Sequence, residues 1–459
     1  MRSVGRSIIA ALAVAPCLAL IGLGSATAGG TASVTAVSAS AASTLGLSGF
    51  HEIAADSSRG HLFISEGSTS VNSIVVTDLS GRQVATIAGQ KGVMGITLSP
   101  DHSVLYAALA KGHAITAIST KTLRQVARYS TGNISPYDVA WQDRRLVVSY
   151  YHNTAPQTGI TTYLGIINLA AARPAFKPKF ASFDPNWLAA PLLSGDPLGS
   201  GEVLAVVPGG EGEQVAVEDL ADNSLFQSDF FNGCENAQNI AMEPGGRQFL
   251  LACGSPYDIP RFNFGIYTGF SAAGSYRATY YPSAVAIASN GSVAATTSTP
   301  TGGELFVYRA GRTKAFVTDS FTGLVPAGLA WSADSTRVYA VSELSKGEYV
   351  VHVVNVSAIA ASHLALGGTS STTLGKTVTV TGRLTFGRSA VPAGTRIYIQ
   401  RTLPSGSDLT LFTVHTRTGG RFSLTDKPRE RGRFTYKAFF QGTASHSPAT
   451  ASRMVTVRG

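Results

Sequence analysis

Three oxygen donors that recur in one sequence context are the residues best equipped for chemistry. Glu52, Asp138 and Asn239 each stand immediately ahead of an apolar residue, Ile53, Val139 and Ile240, that anchors its segment. Carboxylate and amide oxygens are the ligands a hard cation such as calcium takes. The competing reading is structural: a polar side chain entering a strand accepts hydrogen bonds from neighbouring backbone amides. No motif surrounds the three, so the structural reading carries more weight, and no catalytic residue, metal or cofactor is expected. There is no Gly-x-Ser-x-Gly elbow and no His-Glu-x-x-His helix, and the glycines of VPGGEG (207–212) precede no helix and read as a turn.

Two further groups have binding chemistry. Aromatic and polar residues gather between apolar runs at Tyr150-Tyr151-His152-Asn153, Asn186-Trp187, Tyr257-Asp258 and Tyr280-Tyr281. Rings at such positions suit glycans or peptides, which makes Tyr151, His152, Trp187, Tyr257 and Tyr281 the candidate ligand contacts. The alternative is packing between neighbouring elements. His51, His61, His102 and His113 lack ligand spacing and read as packed or solvated.

The elements that must position these residues are strands. Residues 94–123 spell a strand (Gly95 to Leu98), a Ser99-Pro100-Asp101-His102 turn, a strand (Val104 to Leu109), a Lys111-Gly112 turn and a third strand (Ala114 to Ile118). The same order returns around residues 50–65, 137–149, 238–252, 283–297 and 327–342. Its anchors are Ile53, Ile96, Val139, Ile240, Val285 and Leu329, with steps of 43, 43, 101, 45 and 44 residues. The 101-residue step holds two repeats, the weaker being residues 186–208, so the chain contains seven units. A period in the low forties with about four strands per unit is the mark of β-propeller blades, which must stack because none buries enough apolar surface alone.

These residues resemble the YVTN-type repeats of WD40-like propellers, whose units run as apolar strand, Ser-Pro-Asp-Gly turn, then Leu-Tyr-Val-Thr-Asn. The matches are Ser99-Pro100-Asp101 with Leu105-Tyr106-Ala107, and Ser332-Ala333-Asp334 with Val338-Tyr339-Ala340-Val341. The resemblance covers about residues 45–356. It implies an all-β, seven-bladed propeller with Glu52, Asp138 and Asn239 near the channel mouth. Six-bladed lactonases use a comparable acidic and amide set around a divalent ion, so a metal-assisted hydrolase is the alternative function. Either Thr44 to Leu47 or the segment after Ser362 would complete the last blade.

The ends of the chain differ from its middle. Residues 1–28 carry Arg2 and Arg6, an apolar run from Ile8 to Leu23 and the small residues Ala26-Thr27-Ala28, the pattern of a secretory signal peptide; a retained membrane anchor is the alternative. Residues 29–44 are small and uncharged and read as a flexible leader. Export places Cys234 and Cys253, which flank a hairpin turning at Glu243-Pro244-Gly245-Gly246, in an oxidising compartment. A disulfide is expected rather than two buried thiols.

After His363 the repeat stops. Short runs at Thr377 to Thr381, Arg396 to Gln400, Thr410 to Thr416, Arg421 to Leu424, Arg433 to Phe440 and Ser452 to Val457 suggest a β-sandwich over 363–459. VPAGTRIYIQR, TRTGGRFSL and RGRFTYKAFFQGTASHSPATAS are similar to bacterial Ig-like modules. This region holds 14 Lys and Arg against three carboxylates, a net +11, whereas the whole chain is +9. Arg429, Arg431 and Arg433 alternate along it, and such a face draws polyanions such as wall phosphopolymers or acidic polysaccharides. A solvated basic surface is the plainer alternative. The reading that leads is a secreted, non-enzymatic binding or scaffold protein. Its loop face would meet a protein, peptide or glycan, and its basic module would hold it near the cell surface; no nucleic acid is expected as a partner.

Overall fold

The computed structural model describes residues 44–459 except 68–69, 153–160, 183–188, 197–200, 209–212, 221–223, 232, 256, 266–268, 300–301, 357–361, 388–389, 405–408, 444–445 and 447–448. The signal and leader readings for residues 1–43 lie outside the described residues. The described chain is all-β, with a single helical turn at Thr418–Gly420. Among the described residues no helix is long and apolar enough to cross a membrane.

Residues 45–355 form seven four-stranded antiparallel sheets. Sheet I comprises Glu52–Asp56, His61–Ser65, Ser73–Asp78 and Gln83–Ala88, and sheet II comprises Val93–Leu98, Val104–Leu109, Ala114–Ser119 and Arg124–Ser130. Sheet III runs from Pro136–Gln142 to Phe176–Ser182, sheet IV from Leu192–Gly195 to Ser224–Phe231, and sheet V from Glu235–Met242 to Gly269–Arg277. Sheet VI runs from Tyr281–Ile287 to Ala315–Phe321. Sheet VII holds Leu324–Trp331, Arg337–Ser345 and Glu348–Asn355, and its fourth strand is Leu45–Gly46 from the other end of the chain. Leu45 pairs with Tyr349 and Gly46 with Glu348, so the N-terminal segment, not the one after Ser362, completes the last sheet.

Period-2 alternation explains the stacking. In Val104–Leu109, Leu105, Ala107 and Leu109 pack with Phe63, Ile74 and Val76 of sheet I, while Tyr106 and Ala108 pack with Val139, Leu146 and Val148 of sheet III. Each consecutive pair of sheets shares such a core. The last shares one with the first, where Tyr339, Val341 and Leu45 meet Ile53, Leu62 and Ile64. The anchors Ile53, Ile96, Val139, Ile240, Val285 and Leu329 are all buried in these cores.

The turns follow their side chains. Asp101 Oδ1 accepts from Ser99 Oγ (2.7 Å) and from the Ser103 amide (3.0 Å), and Asp334 is bonded likewise by Ser332 Oγ (2.6 Å) and the Thr336 amide (3.1 Å). Burial pushes the Asp101 carboxyl up, but the Ser99 and Ser103 bonds outweigh it and hold it at about 2. Where the repeat consensus carries glycine, His102 (φ 57°) and Ser335 (φ 59°) take the left-handed conformation.

The C-terminal region pairs His363–Gly368, Val378–Thr385 and Arg421–Asp426 in one sheet. A second, five-stranded sheet contains Ser371–Thr373, Arg396–Thr402, Leu409–His415, Gly432–Phe440 and Ala449–Arg458. The two enclose one core of Val380, Ile397, Ile399, Phe422, Phe434 and Tyr436. His363–Gly368 and Ser371–Thr373 were not legible as strands, because a Gly-ended run and three hydroxyl residues carry no alternation. The expected bridge is present: Cys234 and Cys253 are joined across the first two strands of sheet V, with Cα atoms 5.4 Å apart.

Candidate functional site: the two ends of the ring

Antiparallel order gives the ring two unlike ends. The first strands start at the same end that receives the turns between second and third strands. The opposite end collects the hairpin turns Ser99 to His102, Glu243 to Gly246 and Ser332 to Ser335. The three oxygen donors lie at the first end, and each is committed to the next sheet. Glu52 Oε2 accepts from the Ile96 amide (2.7 Å), Asp138 Oδ2 from Leu193 (2.7 Å) and Asn239 Oδ1 from Val285 (2.9 Å). The second oxygen of Asp138 takes the Val139 amide (2.7 Å). Among the described residues no three His, Cys, Asp or Glu side chains are grouped as a metal site.

The same level explains a glycine. A Cβ at Gly95 of sheet II would collide with the Asp138 carboxylate, so glycine is what leaves that group room. With no side chain from sheet II between them, Glu52 and Asp138 feel each other. Burial, then the Asp138 charge, pushes Glu52 up against the opposing Ile96 bond. Burial pushes Asp138 up to about 7 despite the Leu193 and Val139 amides. His51, whose ring meets Tyr137 edge to face at 5.4 Å, is held down at about 4 by burial and is packed. Together these residues line a mouth of about 410 Å³.

Of the aromatic candidates, the structure brings Tyr257 and Tyr281 together, with ring centroids 6.0 Å apart. Tyr257 is 61% exposed, while Tyr281 accepts from the Asn236 side-chain amide and fills space that a Cβ at Gly254 would occupy. Beside them a groove of about 910 Å³ runs between sheets V and VI, lined by Asp258, Arg277 and Lys314. Tyr151 and His152 end the strand Arg145–His152, but their side chains, and all of Trp187, lie outside the described residues.

Arg429, Arg431 and Arg433 are all exposed. The strand opens at Gly432, so strand alternation orients Arg433 alone; Arg429 and Arg431 precede it, and Arg431 lies beside the terminal Gly459. The common face expected for the three therefore does not follow from the strand.

What sequence reasoning missed is the other end of the ring. The five-stranded sheet of the C-terminal module covers the hairpin turns: Gln441 Nε2 donates to Pro244 O (3.0 Å), and the Tyr398 hydroxyl stands against Gly245. Between module and ring lies a cavity of about 780 Å³. No spacing in the sequence signals this contact, because it joins surfaces far apart along the chain.

No protein-family model and no curated protein matches the chain. Solved structures do. The β-propeller domain of Cps50 (Swd1) from Myceliophteria thermophila is 12% identical, with a TM-score of 0.51 over 69% of this chain and 98% of that one. A chain of Kuenenia stuttgartiensis hydrazine synthase is 13% identical, with a TM-score of 0.51 over 69% and 97%. A chain in a structure of the mitotic checkpoint complex is 12% identical, with a TM-score of 0.51 over 75% and 99%. At such identities the likeness shows the fold alone, and that fold is a β-propeller.

Proposed function

We propose that the chain is a secreted, non-enzymatic binding protein: a seven-bladed propeller, residues 45–362, joined to an Ig-like module, residues 363–459. The end opposite the module, uncovered among the described residues, and the adjoining flank of blades five and six meet a partner. The observation that carries this reading is the division of labour between the two ends. At the uncovered end the side chains best suited to chemistry hold neighbouring blades together, while Tyr257 is left exposed beside a charged groove. Exposed aromatics with charged rims are the composition of partner surfaces. A protein or peptide fits the groove's mixed charge, and the propeller in the mitotic checkpoint complex structure is an example of the fold within an assembly. Export by the signal peptide and retention near the cell surface by the basic module belong to the same proposal.

Site-directed photo-crosslinking tests it. A photoreactive residue at position 257 should capture a defined partner from culture and cell-wall fractions, and the same residue at exposed Val126 should not. Equal capture from both positions, or none from 257, rejects the reading.

A further inference from the structure

We propose that the cavity between the turn end of the ring and the C-terminal module binds a short acidic saccharide, its carboxylate held by Lys437. The site is separate from the partner surface above and does not depend on it. Its volume of about 780 Å³ lies within the usual range of ligand sites, roughly 300–1,000 Å³. The ring supplies its floor and the five-stranded sheet its roof. Trp141 stands on the floor as a flat apolar surface that suits the C–H face of a sugar ring, and Phe439 stands on the roof with the Lys437 Nζ 4.8 Å from its ring centroid, so ring and cation face the cavity together. Trp331, buried in the core of sheets VI and VII with its indole N–H on Ala286 O (3.1 Å), forms part of the wall. Gln400 and Thr402 bring an amide and a hydroxyl of the kind that reads sugar hydroxyls.

Charge selects the acidic member of that class. Lys437 is half-buried, and among the described residues it takes part in no ion pair. Burial lowers its pKa and the nearby Asp101 pulls it back, but the Asp101 carboxylate is already engaged by Ser99 and Ser103. The ammonium stands 4.8 Å from the Phe439 ring centroid and feels the Asp101 charge without an ion-pair contact, so a ligand carboxylate adds the close charge-assisted partner. His102 and Arg144 line the same cavity, and Asp196, which accepts from the Gly245 amide (2.8 Å), is the one lining carboxylate.

Two of the three tryptophans of the chain line the cavity, so tryptophan fluorescence reports its occupancy. Trigalacturonate titrated into the full chain should give a saturable change at about tenfold lower concentration than neutral galactotriose, the scale of one charge-assisted hydrogen bond. Lys437→Met should erase that preference and Lys437→Arg should keep it. In a separate variant, Ser289→Cys, trigalacturonate should protect the thiol in the cavity from alkylation. The absence of a saturable response, equal responses to the two sugars, a preference that survives Lys437→Met, or an unprotected Cys thiol each overturns the assignment.

Discussion

The two ends of the ring are built from the same repeats and use their polar residues in different ways. At the uncovered end Glu52, Asp138 and Asn239 reach sideways and close backbone amides of the next sheet. At the covered end Asp101 and Asp334 turn inward on their own hairpins while Asp196 crosses to the Gly245 amide (2.8 Å), and the surface they leave carries a second module. Each of the three side chains Glu52, Asp138 and Asn239 ties one sheet to the next, whatever reaction its type suggests. Residue type alone does not separate ligand from strut; the partner of each oxygen does.

The largest expected effect sharpens this contrast at the uncovered end, where the Cys234–Cys253 bridge holds sheet V. Replacing both cysteines by alanine should cost about 3 kcal/mol, from the loop entropy that 19 residues of separation releases to the unfolded chain. Chemical denaturation of oxidised wild type against the double variant measures it. Gly95→Ala comes next. A methyl driven into the Asp138 carboxylate should cost about 1–3 kcal/mol, and Asp138→Asn should not rescue it, because the Asp138 backbone is also close. A neutral Gly95→Ala would mean the carboxylate is free to move and is no strut.

The fold was readable because its signal is local and repeated: the six anchors fall in first strands, and the turn residues fall in turns. Sheet IV was faint because its first strand, Leu192–Gly195, is only four residues long and half-buried throughout. The closing strand Leu45–Gly46 is two residues long, below what any period can mark. The shared level of Glu52, Asp138 and Asn239 in the ring was legible from register, since each sits one residue before an anchor. The covered end was not legible, since docking depends on the matching of two surfaces far apart in sequence, Pro244 with Gln441 for example, and no spacing rule encodes that.

Titration separates the buried carboxylates from the buried histidines by sign. Asp138 and Glu52 have folded pKa values raised above their unfolded ones, so the stability they contribute is complete below the unfolded values and lost as pH rises through about 7 for Asp138. Glu243 and Asp258, raised mainly by burial, act in the same direction. His51 and His352, lowered by burial, contribute stability present above 6.5 and lost as pH falls. Between pH 6.5 and 8 the carboxylates pull stability down while His51 and His352, still losing protons in the unfolded chain just above 6.5, push it up, so the decline should set in toward the upper part of the interval. Asp138→Asn should flatten that decline, as read from urea midpoints across the interval. An unchanged slope would show that the pair at the mouth does not hold the proton assigned to it.

The smallest effect is expected where the module meets the ring. Gln441→Ala deletes the Nε2 hydrogen bond to Pro244 O and leaves a turn carbonyl that water can reach once the contact loosens. A neutral hydrogen bond contributes about 0.5–1.5 kcal/mol net, so the unfolding midpoint of the whole chain should move by no more than this scale. The informative readout is local: amide exchange at Glu243 to Gly246 should quicken in Gln441→Ala while exchange at Glu52, Asp138 and Asn239 stays as in wild type. Faster exchange at both ends would mean that the module clamps the ring as one cooperative body, and the contrast between a self-tied end and a covered end would fail. Exchange confined to the Glu243 to Gly246 turn would show that each end is held by its own bonds.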